Sequence, residues 1–355
     1  MSRDNKIPIT LITGFLGAGK STFLSYILNE NHGKKIAVIQ NEFGESIGVE
    51  TAIIVGDDGK KVQEWLEFPN GCICCTSKDD FLQSIEDLLK RKDKFDYILI
   101  ESTGMGDPGQ ISTSLWVDEE LDSPVYLDSI IAVVDCFHFE KQLENANQLK
   151  MTNTIEKVKH DTELERQIAF ADVVLLNKID LVDKTYLQNI KSKILDINSM
   201  AEIYTTERSK IDLNKVLGIK SYTPNLELIQ NYLSHHKKQD SHNHNEHNHS
   251  HSNHSTNITT LYIEQVGDLD ETEFNRWLGE MVYDTYKDKI YRYKGLLSIN
   301  NENEKFILQG VYSTFEVQSS HIAWNKNEEK INRLVFIGES LDYNQIKSKI
   351  FIIIK

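Results

Sequence analysis

The chain has 355 residues, 39% of them hydrophobic, with 39 Lys and Arg against 54 Asp and Glu and a formal net charge of -15. This acidic balance argues against a general binder of nucleic acid or of anionic membranes, because such phosphate-rich partners would meet a repulsive average field. The sequence contains no apolar run of about 18 residues, and its N-terminus lacks the layout of a signal peptide. We therefore expect a soluble intracellular protein of the cytoplasm, or also of the nucleus.

Short apolar runs alternate with stretches of helical periodicity over residues 1–225, which is typical of a parallel sheet with crossover helices. The predicted strands cover residues 8–13, 35–40, 97–101, 130–135, 172–177 and 201–205, and the predicted helices cover 20–30, 79–92, 155–169 and 183–197. Several of these strands end in a polar residue. Ligands of open α/β sheets bind outside the carboxyl ends of the strands, so we expect the site at that edge.

The composition changes abruptly at residues 234–257, a stretch of His, Ser and Asn that holds eight of the twelve histidines. It lacks the apolar residues needed to pack, so we expect a disordered linker. The histidines either collect metal ions or belong to a low-complexity tract that arose by neutral drift. Beyond it, residues 258–355 are predicted to form a small α+β domain. Its predicted strands are 258–265, 291–299, 305–312 and 333–338, and its predicted helices are 271–286 and 341–353.

A phosphate-binding loop is predicted directly after the first strand, where GFLGAGKS matches the pattern G-x-x-x-x-G-K-[ST]. Its glycines let backbone N–H groups converge on phosphate oxygens, while the lysine supplies positive charge and the serine hydroxyl can ligate Mg²⁺. A chance glycine turn is the alternative, and the flanking strand and helix argue against it. The expected nucleotide contacts are Gly14, Phe15, Leu16, Gly17, Ala18, Gly19, Lys20, Ser21 and Thr22.

A second nucleotide motif follows the strand 172–177, namely Asn177, Lys178, Ile179 and Asp180. An aspartate carboxylate can accept both the N1–H and the 2-amino group of guanine, a pair of donors that adenine lacks. This segment therefore predicts GTP rather than ATP as the nucleotide.

An acid ends the strand 97–101, three residues before a glycine. Glu101 is expected to hold Mg²⁺ together with Ser21, and the Gly104 N–H to sense a γ-phosphate. Lys20, Ser21 and Glu101 are thus the candidate catalytic residues, although Glu101 could be an ordinary strand-end acid. The residue after Gly104 is Met105, where Ras-like enzymes carry a water-orienting glutamine, so we expect slow intrinsic hydrolysis.

Three of the four cysteines lie together in the sequence NGCICC. Thiolates are soft ligands, and Cys72, Cys74 and Cys75 would give Zn²⁺ or Cu⁺ three of its four ligands and leave one position open for transfer. A redox pair or small buried hydrophobes are the alternatives. The fourth cysteine, at 136, is expected to be a core thiol. The acids Glu42 and Glu45 could add ligands for an ion or be solvated loop residues.

Together, GFLGAGKS, QNEFGE, GCICC, ILIESTGMGDP and NKID resemble the CobW-type GTPases, most nearly the branch of eukaryotic zinc-regulated GTPase metalloprotein activators. The resemblance implies an α/β P-loop GTPase domain with a mostly parallel sheet, followed by a CobW C-terminal α+β domain. It also implies a metallochaperone that uses GTP and Mg²⁺, binds Zn²⁺ through the three cysteines, and passes the ion to a client metalloprotein. The segment Cys75, Thr76, Ser77, Lys78 and Asp79 is then expected to lie against the nucleotide and to couple the two sites.

Three other functions share these motifs. The first is a chaperone for cobalt, nickel or iron, or a cobalamin-pathway factor, on the same scaffold. The second is a metal buffer or sensor in which the histidine tract binds the metal. The third is a housekeeping GTPase with a structural thiol cluster, for which Zn²⁺ would not alter GTP turnover.

Overall fold

The computed structural model describes residues 6–30, 32–40, 50–55, 61–68, 78–102, 107–115, 124–143, 163–223, 226–227, 229–230 and 258–354. The chain divides into two compact units. One comprises Met1–Ser192 and Ala201–Tyr222, and the other Lys193–Met200 and Thr223–Lys355. The domain boundaries drawn from the sequence, at 225 and 258, stay a prediction.

The first unit is built on one sheet in the order β4-β3-β2-β5-β1-β6-β7-β8. The strands β2, β5, β1, β6, β7 and β8 are parallel to one another, and β3 and β4 add an antiparallel hairpin beside β2 at one edge. The strands are β1 Ile7–Thr13, β2 Ile36–Gln40, β3 Glu50–Val55, β4 Lys61–Phe68, β5 Tyr97–Glu101, β6 Val125–Asp135, β7 Val173–Asn177 and β8 Glu202–Thr205.

Helices lie between these strands: α1 Lys20–Asn29, α2 Lys78–Leu89, α3 Pro108–Leu115, α4 Glu163–Phe170 and α5 Lys184–Ile197. Every residue of β5 and β7 is buried, as expected of central parallel strands covered on both faces. The inner face of α1 packs Phe23 and Ile27 into the same core cluster as Leu99 and Val133. This packing holds the loop between β1 and α1 at the carboxyl edge of the sheet.

The predicted mostly parallel α/β sheet is confirmed, with three differences. The β3–β4 hairpin and α3 were not predicted, and β6 begins at Val125 rather than at 130. Strand β4 mixes polar and apolar residues, which weakens its hydrophobic period, whereas β3 carries the apolar run 52–55, a signal that the sequence prediction did not use. The predicted helix 155–169 is described only from residue 163, where α4 begins.

The second unit carries an antiparallel sheet in the order β12-β11-β10-β13-β9, which confirms the predicted α+β class. Its elements are β9 Ile258–Val266, α6 Glu271–Glu280, β10 Ile290–Ser298, β11 Glu304–Val311, β12 Thr314–Ala323, β13 Ile331–Glu339 and α7 Tyr343–Ile353. Strand β12 was not predicted, and the predicted helix 271–286 ends as an α-helix at 280 and continues as a π turn. Among the described helices, none is long and apolar enough to cross a membrane.

Candidate nucleotide-binding site

The loop between β1 and α1 has a backbone that only glycine can adopt at two positions. Gly14 has a φ of +140° and Gly19 a φ of +113°. A Cβ at Gly14 would collide with the carbonyl oxygen of Val133 in β6, and a Cβ at Gly19 would collide with the Asn177 side chain. The loop is therefore a tight backbone cradle that leads into the N-terminus of α1, the arrangement that suits a phosphate group.

Lys20 is the cation of this cradle. Its ammonium donates hydrogen bonds to the carbonyl oxygens of Gly14, at 2.8 Å, and Phe15, at 3.3 Å, and its side chain is 8% exposed. Burial lowers the pKa of Lys20, and the nearby Glu101 carboxylate partly opposes that shift. The loop thus curls around a positive charge.

The predicted Mg²⁺ ligands lie side by side. The Ser21 hydroxyl, in the first turn of α1, donates to the Glu101 carboxylate at the end of β5 at 3.0 Å. A hydroxyl and a carboxylate are the hard oxygen donors that Mg²⁺ prefers, and they converge beside Lys20. The donor set therefore fits the expected ion.

The guanine motif is attached to the phosphate loop by two direct hydrogen bonds. Asn177 Nδ2 donates to the carbonyl of Ala18 at 2.9 Å, and Lys178 Nζ donates to the carbonyl of Gly17 at 2.8 Å. Asp180, by contrast, is exposed on the 3₁₀ turn Ile179–Leu181 that follows β7. The structure thus brings together the two nucleotide motifs, which are far apart in the sequence.

Sequence reasoning missed two residues of this site. Asp135, the last residue of β6, accepts a hydrogen bond from Lys178 Nζ at 2.6 Å. Ser209 donates its N–H to Asn177 Oδ1 at 2.9 Å and its hydroxyl to the Gly19 carbonyl at 3.2 Å. Asp135 ends the predicted strand 130–135 and Ser209 comes shortly after the predicted strand 201–205, and these positions near the carboxyl edge were the only signal for them.

Burial by itself raises the pKa of the Asp135 carboxyl. Hydrogen bonds from Lys178 and His138, together with the charges of those residues, outweigh burial, so the pKa lies below its ordinary value. The Asp135 carboxylate is therefore ionised at neutral pH and forms an ion pair with Lys178.

Other predicted site residues lie outside the described residues. These are Glu42, Glu45, Cys72, Cys74, Cys75, Thr76, Ser77 and Gly104, as well as the histidine tract 234–257. Lys78 and Asp79 begin α2, and the cysteines precede them in the segment between β4 and α2. Within the part of the chain that the structure describes, no group of three or more His, Cys, Asp or Glu suits a metal ion. The cysteine triplet thus stays the prediction for zinc. Cys136 is buried in the core, as predicted, and burial raises the pKa of its thiol to about 12.

Comparison with known proteins agrees with this geometry. The family model of the CobW/HypB/UreG nucleotide-binding domain matches residues 8–205, and that of the cobalamin synthesis protein CobW C-terminal domain matches residues 258–351. Zinc chaperone YjiA of Escherichia coli is 32% identical over 351 residues, which cover 97% of this chain and 98% of that protein. Zinc-regulated GTPase metalloprotein activator 1 of Saccharomyces cerevisiae is 33% identical over 369 residues, covering 96% of this chain and 82% of the relative.

The fold is also shared with a solved structure. The crystal structure of Zn(II)-bound YjiA GTPase from E. coli aligns with a TM-score of 0.72 and 30% sequence identity, covering 99% of this chain and 100% of the other. The chain therefore belongs to the CobW family, with the nucleotide-binding domain of that family followed by its C-terminal domain.

Proposed function

We propose that the protein is a GTPase that carries Zn²⁺ and passes it to a client metalloprotein under the control of GTP binding and hydrolysis. The observation that carries this proposal is the meeting of three separate segments at one sheet edge: the phosphate loop, Glu101, and the pair Asn177 and Lys178. The relatives named above, a zinc chaperone and a zinc-regulated GTPase, support the link between this nucleotide site and zinc.

The phosphate loop would hold the triphosphate through its backbone N–H groups and the N-terminus of α1. Lys20 places its charge on the β- and γ-phosphate oxygens, where negative charge is concentrated during phosphoryl transfer. Ser21 and Glu101 would hold Mg²⁺, which would supply further positive charge during phosphoryl transfer. Lys20, Ser21 and Glu101 are the catalytic residues of this proposal.

Asp180 selects the base. Its exposed carboxylate can accept two hydrogen bonds from the N1–H and 2-amino groups of guanine. Asn177 and Lys178 keep this turn in contact with the phosphate loop, so the base-binding and phosphate-binding parts of the site are held together. We expect slow intrinsic hydrolysis, because Met105 follows Gly104 in the sequence, at the position where Ras-like enzymes carry a glutamine that orients the attacking water. Turnover of several GTP per second by the purified protein alone would contradict this part of the proposal.

The Zn²⁺ ligands are Cys72, Cys74 and Cys75, which with a fourth group would complete a tetrahedral shell. In the sequence, Cys75 comes three residues before Lys78, where α2 begins. If residues 75–79 also contact the nucleotide, the two sites share one segment. Linkage then requires that tighter Zn²⁺ binding in the GTP state be matched by tighter GTP binding in the Zn²⁺ state.

Calorimetric titration of Zn²⁺ into the full chain tests this function. The titration is made with a non-hydrolysable GTP analogue, with GDP and without nucleotide, each in the presence of Mg²⁺. We expect zinc affinities that differ between nucleotide states by a factor between about 5 and 150, the usual range of coupling between two sites. Equal zinc affinity in all three states would refute zinc transfer under nucleotide control and leave only a GTPase.

A matched pair of cysteine variants makes the test specific. Cys74→Ser removes a proposed zinc ligand, whereas Cys136→Ala removes the buried core thiol, whose raised pKa keeps it protonated. We expect Cys74→Ser to weaken zinc binding and to abolish the effect of zinc on GTP turnover, and Cys136→Ala to change neither. The reverse pattern would show that the zinc site is not at the cysteine triplet.

A further inference from the structure

Asp135 lies beside the guanine motif, although no sequence motif includes it. It is the last residue of β6, and the parallel register pairs it with Asn177 at the end of β7. Its side chain is 3% exposed. Oδ2 accepts hydrogen bonds from Lys178 Nζ at 2.6 Å and from the His138 ring at 2.9 Å, while Oδ1 accepts the Phe137 N–H at 3.0 Å.

Lys178 is the residue through which Asp135 contacts the guanine motif. Lys178 has a φ of +62°, in the left-handed region that non-glycine residues adopt at a cost. Its ammonium bridges two acceptors, the Gly17 carbonyl in the phosphate loop and the Asp135 carboxylate. Of the two, only Asp135 is charged, and charge-assisted hydrogen bonds in a partly buried site are the stronger kind.

We propose that Asp135 is a positioning residue for guanine-nucleotide binding, which holds Lys178 across the phosphate loop and so fixes the turn that carries Asp180. This inference rests on the proposed function and names a residue that helps set its nucleotide affinity. Without the carboxylate, Lys178 would keep a single neutral acceptor. Its side chain would then have more conformational entropy in the free protein, and nucleotide binding would have to remove that entropy. The loss should therefore appear in affinity rather than in the choice of base.

A purely structural role is the competing explanation. Through Oδ1, Asp135 also receives the Phe137 N–H and a longer bond from the His138 N–H at 3.4 Å, so it caps the turn after β6. Asp135→Asn separates the two roles, because an amide oxygen can still accept the turn N–H groups but the charge opposite Lys178 is gone.

The test is a double-mutant cycle on the full chain, with a fluorescent GDP as the probe and Mg²⁺ present. The variants are Asp135→Asn, Lys178→Met, which keeps the length of the side chain without its charge, and the two combined. We expect Asp135→Asn to weaken GDP binding by about tenfold. In the Lys178→Met background the same substitution should change affinity by less than about twofold, because the group it acts through is absent.

Two further variants control for a loss of affinity that results only from a loss of stability. Asp128→Asn replaces a buried aspartate near the other end of β6, which accepts the Tyr97 hydroxyl and the N–H of Lys220. It should lower stability in urea and leave GDP affinity within about twofold of the wild type per folded molecule. Asp135→Glu keeps the charge and displaces it by one methylene, so we expect a smaller loss that also disappears in the Lys178→Met background.

The outcomes are distinct. Wild-type affinity in Asp135→Asn, or losses that multiply in the double variant, would overturn the positioning role and leave the proposed function intact. A wild-type chain that binds no guanine nucleotide would overturn the proposed function, and this inference with it.

Discussion

Replacing Glu163 with glutamine should raise the stability of the protein at slightly alkaline pH. Glu163 begins α4 and is 5% exposed. Burial and the nearby Asp107 carboxylate raise the pKa of its carboxyl, Arg166 and a hydrogen bond with Gln167 partly offset that rise, and the resulting pKa is about 8. The folded protein therefore keeps this group protonated under conditions in which the unfolded chain ionises it.

The size and sign of the effect follow from linkage. A pKa of about 8 in the folded chain against 4.5 in the unfolded chain corresponds to a difference of up to about 5 kcal/mol between the two protonation states. The folded state binds more protons than the unfolded state. The stability that the protonated Glu163 contributes is therefore fully present below pH 4.5 and is lost as the pH rises to 8. Glu163→Gln mimics the protonated acid and should remove that decline.

Urea unfolding at pH 5, 6, 7 and 8, followed by circular dichroism, measures the difference. We expect the variant and the wild type to have similar free energies of unfolding at pH 5, and the variant to be more stable by a few kcal/mol at pH 8. Glu271→Gln is the control, because it removes an exposed carboxylate from α6. If the Glu163→Gln and wild-type profiles run parallel from pH 5 to pH 8, the reasoning about this buried acid is wrong.

Three more outcomes are expected. Gly19→Ala should weaken GDP binding by more than about tenfold, because the φ of +113° and the contact with Asn177 exclude a Cβ. Unchanged affinity would show that the loop can accommodate the methyl group. Tyr97→Phe removes a hydroxyl that donates to Asp128 at 2.7 Å and should lower the free energy of unfolding by about 1–3 kcal/mol in urea; an unchanged midpoint would count against that network. Deleting residues 234–257 should leave zinc-dependent GTP turnover nearly unchanged, whereas loss of most of it would favour a metal buffer.

The phosphate loop could be predicted from sequence because its chemistry is local. Six residues between β1 and α1 supply the glycines, and the next two supply the cation and the hydroxyl. No distant residue is needed to recognise such a loop, since the backbone angles follow from the glycines themselves. The fold class was predictable for a similar reason, because buried parallel strands appear in the sequence as continuous apolar runs.

Elements at the sheet edges were harder to predict. Strands β4 and β12 mix polar and apolar residues along their length, so neither has an apolar run like those of the central strands. Their strand structure comes from pairing with a neighbour, and that neighbour is set by the rest of the sheet.

The sequence by itself determined the α/β class and predicted the two nucleotide motifs, because each of these depends on residues that are adjacent in the chain. Only the tertiary structure decided that Lys178 meets Asp135 and that Asn177 meets Ser209. These contacts arise where the carboxyl ends of β6, β7 and β8 come together, and strand order is a property of the whole sheet. A side chain at the end of one strand acquires its partner from another, and no local pattern in the sequence records that pairing.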